Sequence, residues 1–248
     1  MDKKHRYTTK KKKIICTVFF LFLFFEFYIF IRIYWIVSCV IPTYSMSPTL
    51  IEGDYVFVSL QIPGRRILDK DIKYSNRWLV HRKKGIRPIC KNDIVVFNYP
   101  YSEDSRQMIM SSKTFFCKRC VAIPGDSYQW YSNDVLRKIY VPKKGDVISI
   151  DSINYKDYYK CIEYETGMQT KIDKIGNIYI ADTILTQYHF LHDYYFMCGD
   201  YSSDSYDSRF WGILPDDFIL GVGKVIWFSK DPKTNKIRWE RMFRSISN

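Results

Sequence analysis

The pattern of apolar residues changes character near residue 32. Residues 14–31, IICTVFFLFLFFEFYIFI, are apolar apart from an isolated Thr17, Tyr28 and the single charge at Glu26, and Arg32 ends the run. As a helix this run is about 27 Å long at 1.5 Å per residue, close to the roughly 30 Å of a bilayer's hydrocarbon core. The pattern predicts one N-terminal transmembrane helix over residues 14–32.

Beyond this run, short segments rich in β-branched and aromatic residues alternate with turns that contain Gly, Pro and Asp. Such segments are typical of strands, and the absence of long helical patterns favours antiparallel sheets. A closing hairpin is predicted between residues 218–229 and 236–243, across a polar turn. The other predicted strands are 33–41, 54–60, 93–99, 114–123, 137–141, 177–181 and 194–198.

The predicted fold class is mainly β: an antiparallel β-sheet catalytic domain with an inserted β-rich subdomain, preceded by the transmembrane helix. The 248 residues, 47% of them hydrophobic, are enough for one such core. Segments 61–90 and 143–190 are more polar and irregular. The predicted boundaries are a basic tail over 1–13, the catalytic domain over 33–126 and 191–248, and the inserted subdomain over 127–190.

The positive charge is concentrated at the start of the chain. The net charge is +12, and the first 13 residues hold seven cations against the single acid Asp2. No basic stripe with a recognition motif follows, which argues against nucleic acid as a partner. Cations ahead of an apolar span predict a cytoplasmic N-terminus. Bulky residues at Tyr34–Ile36 favour a retained anchor over a cleaved leader.

The cysteines and histidines indicate no metal, cofactor or disulfide framework. Seven cysteines are an odd number without the spacing of a disulfide-rich domain. Cys117 and Cys120 have the spacing of a redox motif, but positions three apart on a strand face opposite ways. His189 and His192 could share one helical face, yet no third metal ligand accompanies them.

Two residues are candidates for nucleophilic chemistry. Ser45 lies in a polar turn between Thr43 and Pro48, soon after the apolar run. On its predicted strand, Lys118 shares a face with the apolar Phe116 and Cys120, where poor solvation would lower its pKa and favour the neutral amine that a general base requires. The alternatives are a serine that serves a turn and a lysine that reaches solvent or pairs with an acid. The sequence lacks a Gly-x-Ser-x-Gly motif, but a Ser-His-Asp triad stays possible.

Five segments together resemble, in order and spacing, the successive motifs of bacterial type I signal peptidases. The resemblance covers roughly residues 41–126 and 194–241 and leaves the intervening insertion unmatched. The segments are SMSPTL (45–50), GDYVFV (53–58), NDIVVFNYP (92–100), KRCVAIPGD (118–126) and GDYSSDSYDSRFWGILP (199–215).

This resemblance implies a serine endopeptidase with a Ser/Lys dyad, in which Ser45 is the nucleophile and Lys118 the general base. It implies that Thr43 donates to the oxyanion and that Ser205 hydrogen-bonds the lysine. It also implies two structural ion pairs, Asp200 with Arg119 and Asp207 with Arg209. The expected pocket for small substrate side chains consists of Ile41, Pro42, Met46, Val56, Val96 and Cys117.

The implied function is the removal of N-terminal signal peptides from exported preproteins at Ala-x-Ala-like sites. The expected partners are these preproteins and membrane lipids, and no cofactor is implied. The expected location is the inner membrane, with a single pass and the catalytic domain on the outer face. Two alternatives remain: a regulatory self-processing Ser/Lys protease, and an inactive membrane-tethered binding module, which the altered residues 201–204 would favour.

Overall fold

The computed structural model describes residues 2–70, 78–101, 107–110 and 114–246, and the side chains within these ranges except at 2–11, 30–34 and 70. Helix α1 (Asp2–Tyr34) begins inside the predicted basic tail and continues through the apolar run. Across the described ranges, no helix has the length and apolar character needed to cross a membrane. The predicted transmembrane span over 14–32 is therefore not confirmed.

Within the described ranges, seventeen strands and two further helices follow α1. Helix α2 is Tyr155–Thr166 and helix α3 is Ser208–Trp211. In chain order the strands are β1 (Ile36–Val40), β2 (Asp54–Ser59), β3 (Arg66–Lys70), β4 (Trp78–Arg82), β5 (Ile94–Asn98), β6 (Phe115–Ala122), β7 (Ser127–Ser132), β8 (Val135–Tyr140), β9 (Val147–Ser149), β10 (Thr170–Ile172), β11 (Ile178–Ile180), β12 (Thr183–Ile184), β13 (Gln187–His189), β14 (Tyr194–Cys198), β15 (Leu214–Pro215), β16 (Ile219–Ser229) and β17 (Arg244–Ser245).

The main sheet has eight strands in the order β1-β2-β16-β5-β6-β14-β15, and β17 pairs with β16. Its pairings are antiparallel, so the mainly β, antiparallel prediction is confirmed. Each predicted strand contains or overlaps an observed one except the last. In place of the predicted strand 236–243 there is only an isolated antiparallel bridge between Ile237 and Lys230.

The closing segment begins as a hairpin, in which the Arg238 N–H donates to the Ser229 carbonyl at 3.0 Å, and then leaves it. Residues Trp239–Arg241 form a 3₁₀ turn, and the strand that pairs with β16 is β17, further along the chain. The guanidinium of Arg238 binds Asp231, and that of Arg241 binds the buried Asp54. These ion pairs interrupt the alternation of inward and outward side chains that a strand needs.

The insertion contains α2 among its short strands, and this helix was not predicted. Tyr158, Cys161, Ile162 and Glu165 are its buried residues, at the three- and four-residue spacing of one helical face. Gly167 ends it with φ at 70°, the left-handed conformation that favours glycine. The segment is rich in tyrosine, which is also common in strands, so its helical spacing was not recognised from the sequence.

Two clusters of buried apolar residues lie on either side of the main sheet. The first combines sheet residues such as Val95, Phe97 and Phe196 with insertion residues such as Tyr158 and Ile162. The insertion is therefore packed onto the same core as the sheet. The second, smaller cluster consists of Ile41, Met46, Leu50, Val56, Val58, Ile94, Val96, Ile226 and Ile246.

The register between β5 and β6 assigns neighbouring residues to opposite faces. Lys118 pairs with Val95, which belongs to the first cluster, and Cys117 pairs with Val96, which belongs to the second. Since paired residues of antiparallel strands share a face, Lys118 is directed to the first face and Cys117 to the other.

Candidate active site

The ammonium group of Lys118 lies against the nucleophile candidate. Lys118 is 4% exposed, and its Nζ donates a hydrogen bond to Ser45 Oγ at 2.6 Å. The Phe116 ring centroid is 5.9 Å from the same Nζ. Burial lowers the pKa of Lys118 below its ordinary value, although the Asp207 carboxylate opposes this effect. When the amine is neutral, the same contact lets the Ser45 hydroxyl donate its proton to nitrogen.

Ser45 is held in a turn between β1 and β2. The Leu50 N–H donates to the Met46 carbonyl at 2.9 Å, and the Tyr201 N–H donates to the Ser45 carbonyl at 3.1 Å. Gly199 packs against the Ser45 carbonyl so closely that a Cβ there would collide with it. Glycine at 199 thus lets the segment that follows β14 fix the nucleophile's backbone.

Two donors near Ser45 could stabilise a developing oxyanion. The Thr43 hydroxyl is exposed, and its Oγ1 is 3.4 Å from Ser45 Oγ. Among the residues that the structure describes, the Ser45 N–H has no protein acceptor. The Ser45 N–H is therefore available to a substrate oxygen, as an oxyanion hole requires, and the exposed Thr43 hydroxyl, whose hydrogen bond to Ser45 Oγ is long, can turn towards the same oxygen.

Ser205 is buried beside the dyad, but its proton goes to Asp207. Ser205 Oγ donates to Asp207 Oδ2 at 2.7 Å. The expected hydrogen bond between Ser205 and Lys118 is not formed among the described residues; Lys118 bonds Ser45 instead. A hydroxyl that donates elsewhere can still accept from an ammonium, because its lone pairs are free.

Asp207 is the centre of the network behind the dyad. It is fully buried and accepts from the Gly199 N–H at 2.9 Å and from Arg209 Nη2 at 2.8 Å. Its other oxygen caps α3 by accepting from the Arg209 backbone N–H. Burial raises the pKa of Asp207, but the hydrogen bonds from Arg209, Gly199 and Ser205 outweigh it, so the pKa is lowered and the carboxylate stays charged.

Arg119 and Asp200 form the second of the expected ion pairs. Arg119 Nε and Nη2 bind the two carboxylate oxygens of Asp200, each at 2.7 Å, in a bidentate arrangement. Arg119 Nη2 is also 3.3 Å from Thr49 Oγ1 in the nucleophile turn. This pair therefore connects β6, the segment after β14 and the turn of Ser45.

A third ion pair behind the nucleophile turn was missed from the sequence. Asp54 is fully buried and receives Arg241 Nη2 at 2.6 Å, Ser229 Oγ at 2.6 Å and the Ile51 N–H at 2.9 Å. Arg241 also donates to the Thr49 carbonyl at 3.0 Å. The Gly-Asp pair at 53–54 marks a strand start, but nothing local identifies a partner 187 residues away.

The six predicted pocket residues divide into buried and accessible ones. Ile41, Met46, Val56 and Val96 belong to the second cluster and are at most 3% exposed. Cys117 packs against that cluster and Pro42 is exposed. Of the six, only Pro42 and the half-buried Cys117 offer appreciable surface to a substrate.

Among the described side chains, no histidine forms a hydrogen bond or ion pair with Ser45 or Lys118. His192 Nδ1 is 3.0 Å from Asp216 Oδ1, and its Nε2 is 3.6 Å from Asp217 Oδ2. These three residues are close enough for their ligand atoms to meet one cation, but His189 is not part of the group. Tyr164 donates to Asp217 at 2.9 Å, so the group also serves as a junction between α2 and the sheet.

The site places the Ser45 hydroxyl within hydrogen-bond reach of the buried Lys118 amine, beside the Ser45 backbone N–H and the Thr43 hydroxyl. Such an arrangement is compatible with the class of serine hydrolases that use lysine as general base.

Comparisons with known proteins agree with this class. The family model described as signal peptidase, peptidase S26, matches residues 12–228. Signal peptidase I of Aquifex aeolicus is 27% identical over 242 residues, covering 84% of this chain and 82% of its own length. That of Rickettsia prowazekii is 29% identical over 216 residues, covering 80% and 72%. That of Helicobacter pylori is 27% identical over 257 residues, covering 84% of each.

The chain belongs to the signal peptidase family, peptidase S26, and is a serine endopeptidase.

Proposed function

We propose that this protein removes N-terminal signal peptides from exported preproteins, with Ser45 as nucleophile and Lys118 as general base. The observation that carries the proposal is the 2.6 Å contact between Lys118 Nζ and Ser45 Oγ at a buried lysine. The relatives named signal peptidase I support the substrate class. An intact dyad also argues against a binding module that has lost its activity.

The reaction is an acyl transfer in two steps. Neutral Lys118 accepts the Ser45 proton as Oγ attacks the scissile carbonyl, and the Ser45 N–H and Thr43 hydroxyl stabilise the oxyanion. The ammonium then protonates the leaving amine, which departs as the mature protein's N-terminus. Lys118, neutral again, next accepts a proton from the water that attacks the acyl-enzyme. It passes this proton to Ser45 Oγ as the ester bond breaks, so the signal peptide leaves as a carboxylic acid and Ser45 regains its hydroxyl.

Two opposing effects set the pKa of Lys118. Burial favours the neutral amine, whereas the Asp207 carboxylate favours the ammonium. Since the mechanism needs both forms in turn, a pKa below the ordinary value but above that of an isolated buried lysine suits both steps. Activity is expected to rise with pH as Lys118 loses its proton.

The proposed specificity is for small side chains at the first and third positions before the scissile bond. The apolar packing around Cys117 and the accessible Pro42 support it, because an apolar surface next to Ser45 favours methyl groups over polar side chains. Burial raises the pKa of the Cys117 thiol to about 12, so the thiol stays neutral and apolar.

We also propose that α1 holds the enzyme at the membrane, with its N-terminus cytoplasmic. Large apolar side chains of α1, including Phe20 and Phe24, are 69% and 70% exposed, and an apolar surface of this extent is typical of lipid contact. Carbonate extraction of membranes tests this proposal: the full chain should stay in the pellet. Release into the supernatant would contradict it.

The test of the activity uses the full chain in detergent with a preprotein that carries an Ala-x-Ala site. Ser45→Ala and Lys118→Met should each lower kcat/KM by at least about a thousandfold. The matched controls are Ser47→Ala in the same turn and Lys138→Met on the exposed β8, which should cleave at the wild-type rate. Wild-type activity in Ser45→Ala would refute the assignment of the nucleophile.

A further inference from the structure

Four aromatic side chains form a continuous surface beside the dyad, which we call the aromatic row: Phe116, Tyr99, Tyr206 and Phe210. Successive ring centroids are 4.7 Å apart for Phe116 and Tyr99, 6.4 Å for Tyr99 and Tyr206, and 5.7 Å for Tyr206 and Phe210. Phe116 and Tyr99 are half-buried, whereas Tyr206 is 49% and Phe210 68% exposed. The row is therefore anchored in the core at one end and open to solvent at the other.

The row begins at the reactive groups. The Phe116 centroid is 5.9 Å from Lys118 Nζ, and Tyr206 directly follows Ser205 in the chain. The base of the row is fixed, because Phe116 pairs with Phe97 across β5 and β6 and their rings are 6.3 Å apart. A substrate that reaches Ser45 is thus close to the row.

The chemistry of the reaction identifies which part of a substrate lies there. The leaving amine receives its proton from the Lys118 ammonium, so the chain after the scissile bond must leave on the lysine side of Ser45. Phe116 shares the strand face of Lys118. Cys117, on the other face of β6, belongs to the pocket proposed for the residues before the bond.

We propose that the aromatic row binds the first residues of the mature chain, after the scissile bond, and favours apolar side chains at alternate positions there. This inference rests on the proposed function. In an extended peptide, side chains on one face recur every 6.6–6.8 Å or so. Ring centroids 4.7–6.4 Å apart therefore allow successive outward-facing side chains to contact successive rings.

The experiment uses two internally quenched peptides with the same Ala-x-Ala site, carrying either Leu or Ser at the second and fourth positions after the bond. The wild-type full chain should cleave the Leu peptide with a kcat/KM about fivefold to tenfold higher, the effect of covering one or two apolar side chains. In the double variant Tyr206→Ser/Phe210→Ser, the ratio of the two values should approach one. Cleavage of the Ser peptide should change little.

Two further variants separate recognition from folding. The swap Tyr206→Phe/Phe210→Tyr keeps both rings and should preserve the ratio. Tyr131→Ser, which removes a 74% exposed ring from the β7–β8 hairpin, should also leave it unchanged.

A wild-type ratio of one overturns the inference whatever the variants do, and so does a full ratio in the double serine variant. These outcomes differ from failure of the proposed function, in which the wild-type enzyme cleaves neither peptide nor preprotein.

Discussion

Two buried ionisable side chains, Lys118 in the dyad and Glu165 in the insertion, contrast sharply in their surroundings. They are 4% and 7% exposed. Glu165 accepts hydrogen bonds from the Tyr188 and Tyr194 hydroxyls at 2.8 Å each, and from two backbone N–H groups. Among the described residues, Lys118 has one hydrogen-bond partner, Ser45.

The difference separates a buried group whose charge is compensated by several hydrogen bonds from one whose charge is compensated by few. The donors around Glu165 replace its lost hydration and connect α2 to the β13–β14 loop, so the carboxyl group belongs to the structure. Lys118 lacks such compensation, and burial accordingly lowers its pKa. A poorly compensated buried amine that touches a hydroxyl is a typical catalytic arrangement.

The largest expected effect comes from removing each group in turn. Glu165→Ala should lower the free energy of unfolding by about 3 kcal/mol or more, because it leaves several buried hydrogen-bond donors without an acceptor. Lys118→Met should change it by less than about 1 kcal/mol, or increase it, since an apolar side chain replaces a desolvated amine. Urea titration of the full chain measures both, with the exposed Glu240→Ala as the control. An equal decrease in the free energy of unfolding in the two variants would show that Glu165 and Lys118 do not differ in their contribution to stability.

The Asp54–Arg241 pair tests whether structural support extends to the nucleophile turn. Asp54→Asn should lower the free energy of unfolding by about 2 kcal/mol, because Arg241 is left buried and unpaired. It should also lower kcat about tenfold, since the turn that positions Ser45 is loosened.

The matched control for Asp54→Asn is Asp231→Asn, which breaks a more exposed pair with Arg238 and should cost less than about 1 kcal/mol. If Asp54→Asn were destabilised but kept the wild-type kcat, the Asp54–Arg241 pair would stabilise the fold without contributing to catalysis.

The pH profile of activity tests the opposing effects of burial and of Asp207 on the pKa of Lys118. The ascending limb of kcat/KM reports deprotonation of Lys118, whose pKa burial lowers and Asp207 raises. Asp207→Asn should therefore move this limb to lower pH. Asp204→Asn, an exposed aspartate of the same segment, should not. A shift to higher pH in Asp207→Asn would contradict the assignment of this limb to Lys118.

The smallest expected effect is on the pH dependence of stability, through His192 and its contacts with Asp216 and Asp217. Burial lowers its pKa, but the Asp216 hydrogen bond and the two aspartate charges outweigh this, so the pKa is raised. The stabilisation from protonated His192 is complete below its unfolded pKa, about 6.5, and is lost as pH rises through the higher folded pKa. The melting temperature of the wild type should fall from pH 6 to pH 8 more than that of His192→Gln.

His81→Gln is the control for this comparison, because the His81 side chain is 68% exposed. A wild-type melting temperature that follows His192→Gln at both pH values would show that His192 does not contribute.

The local pattern predicted most strands and marked Ser45 and Lys118 as candidates, and it failed where side chains contact distant partners. Lys118 became a candidate because its strand neighbours are apolar, which is a property of adjacent positions, whereas the roles of both residues were implied by the family resemblance. The last hairpin was predicted too long: it ends before the 3₁₀ turn at Trp239–Arg241, where Arg241 binds Asp54. Helix α2 was missed although its buried residues follow a helical period, since its tyrosines are equally typical of strands.

The sequence by itself determined the mainly β fold class, the strand face that buries Lys118 and the turn that carries Ser45. Only the tertiary structure brought Lys118 to Ser45 across 73 residues, gave the Ser205 proton to Asp207 and aligned Tyr206 with Phe116. The physical reason is that strand patterns depend on neighbouring residues, whereas these contacts depend on the order in which distant strands pair.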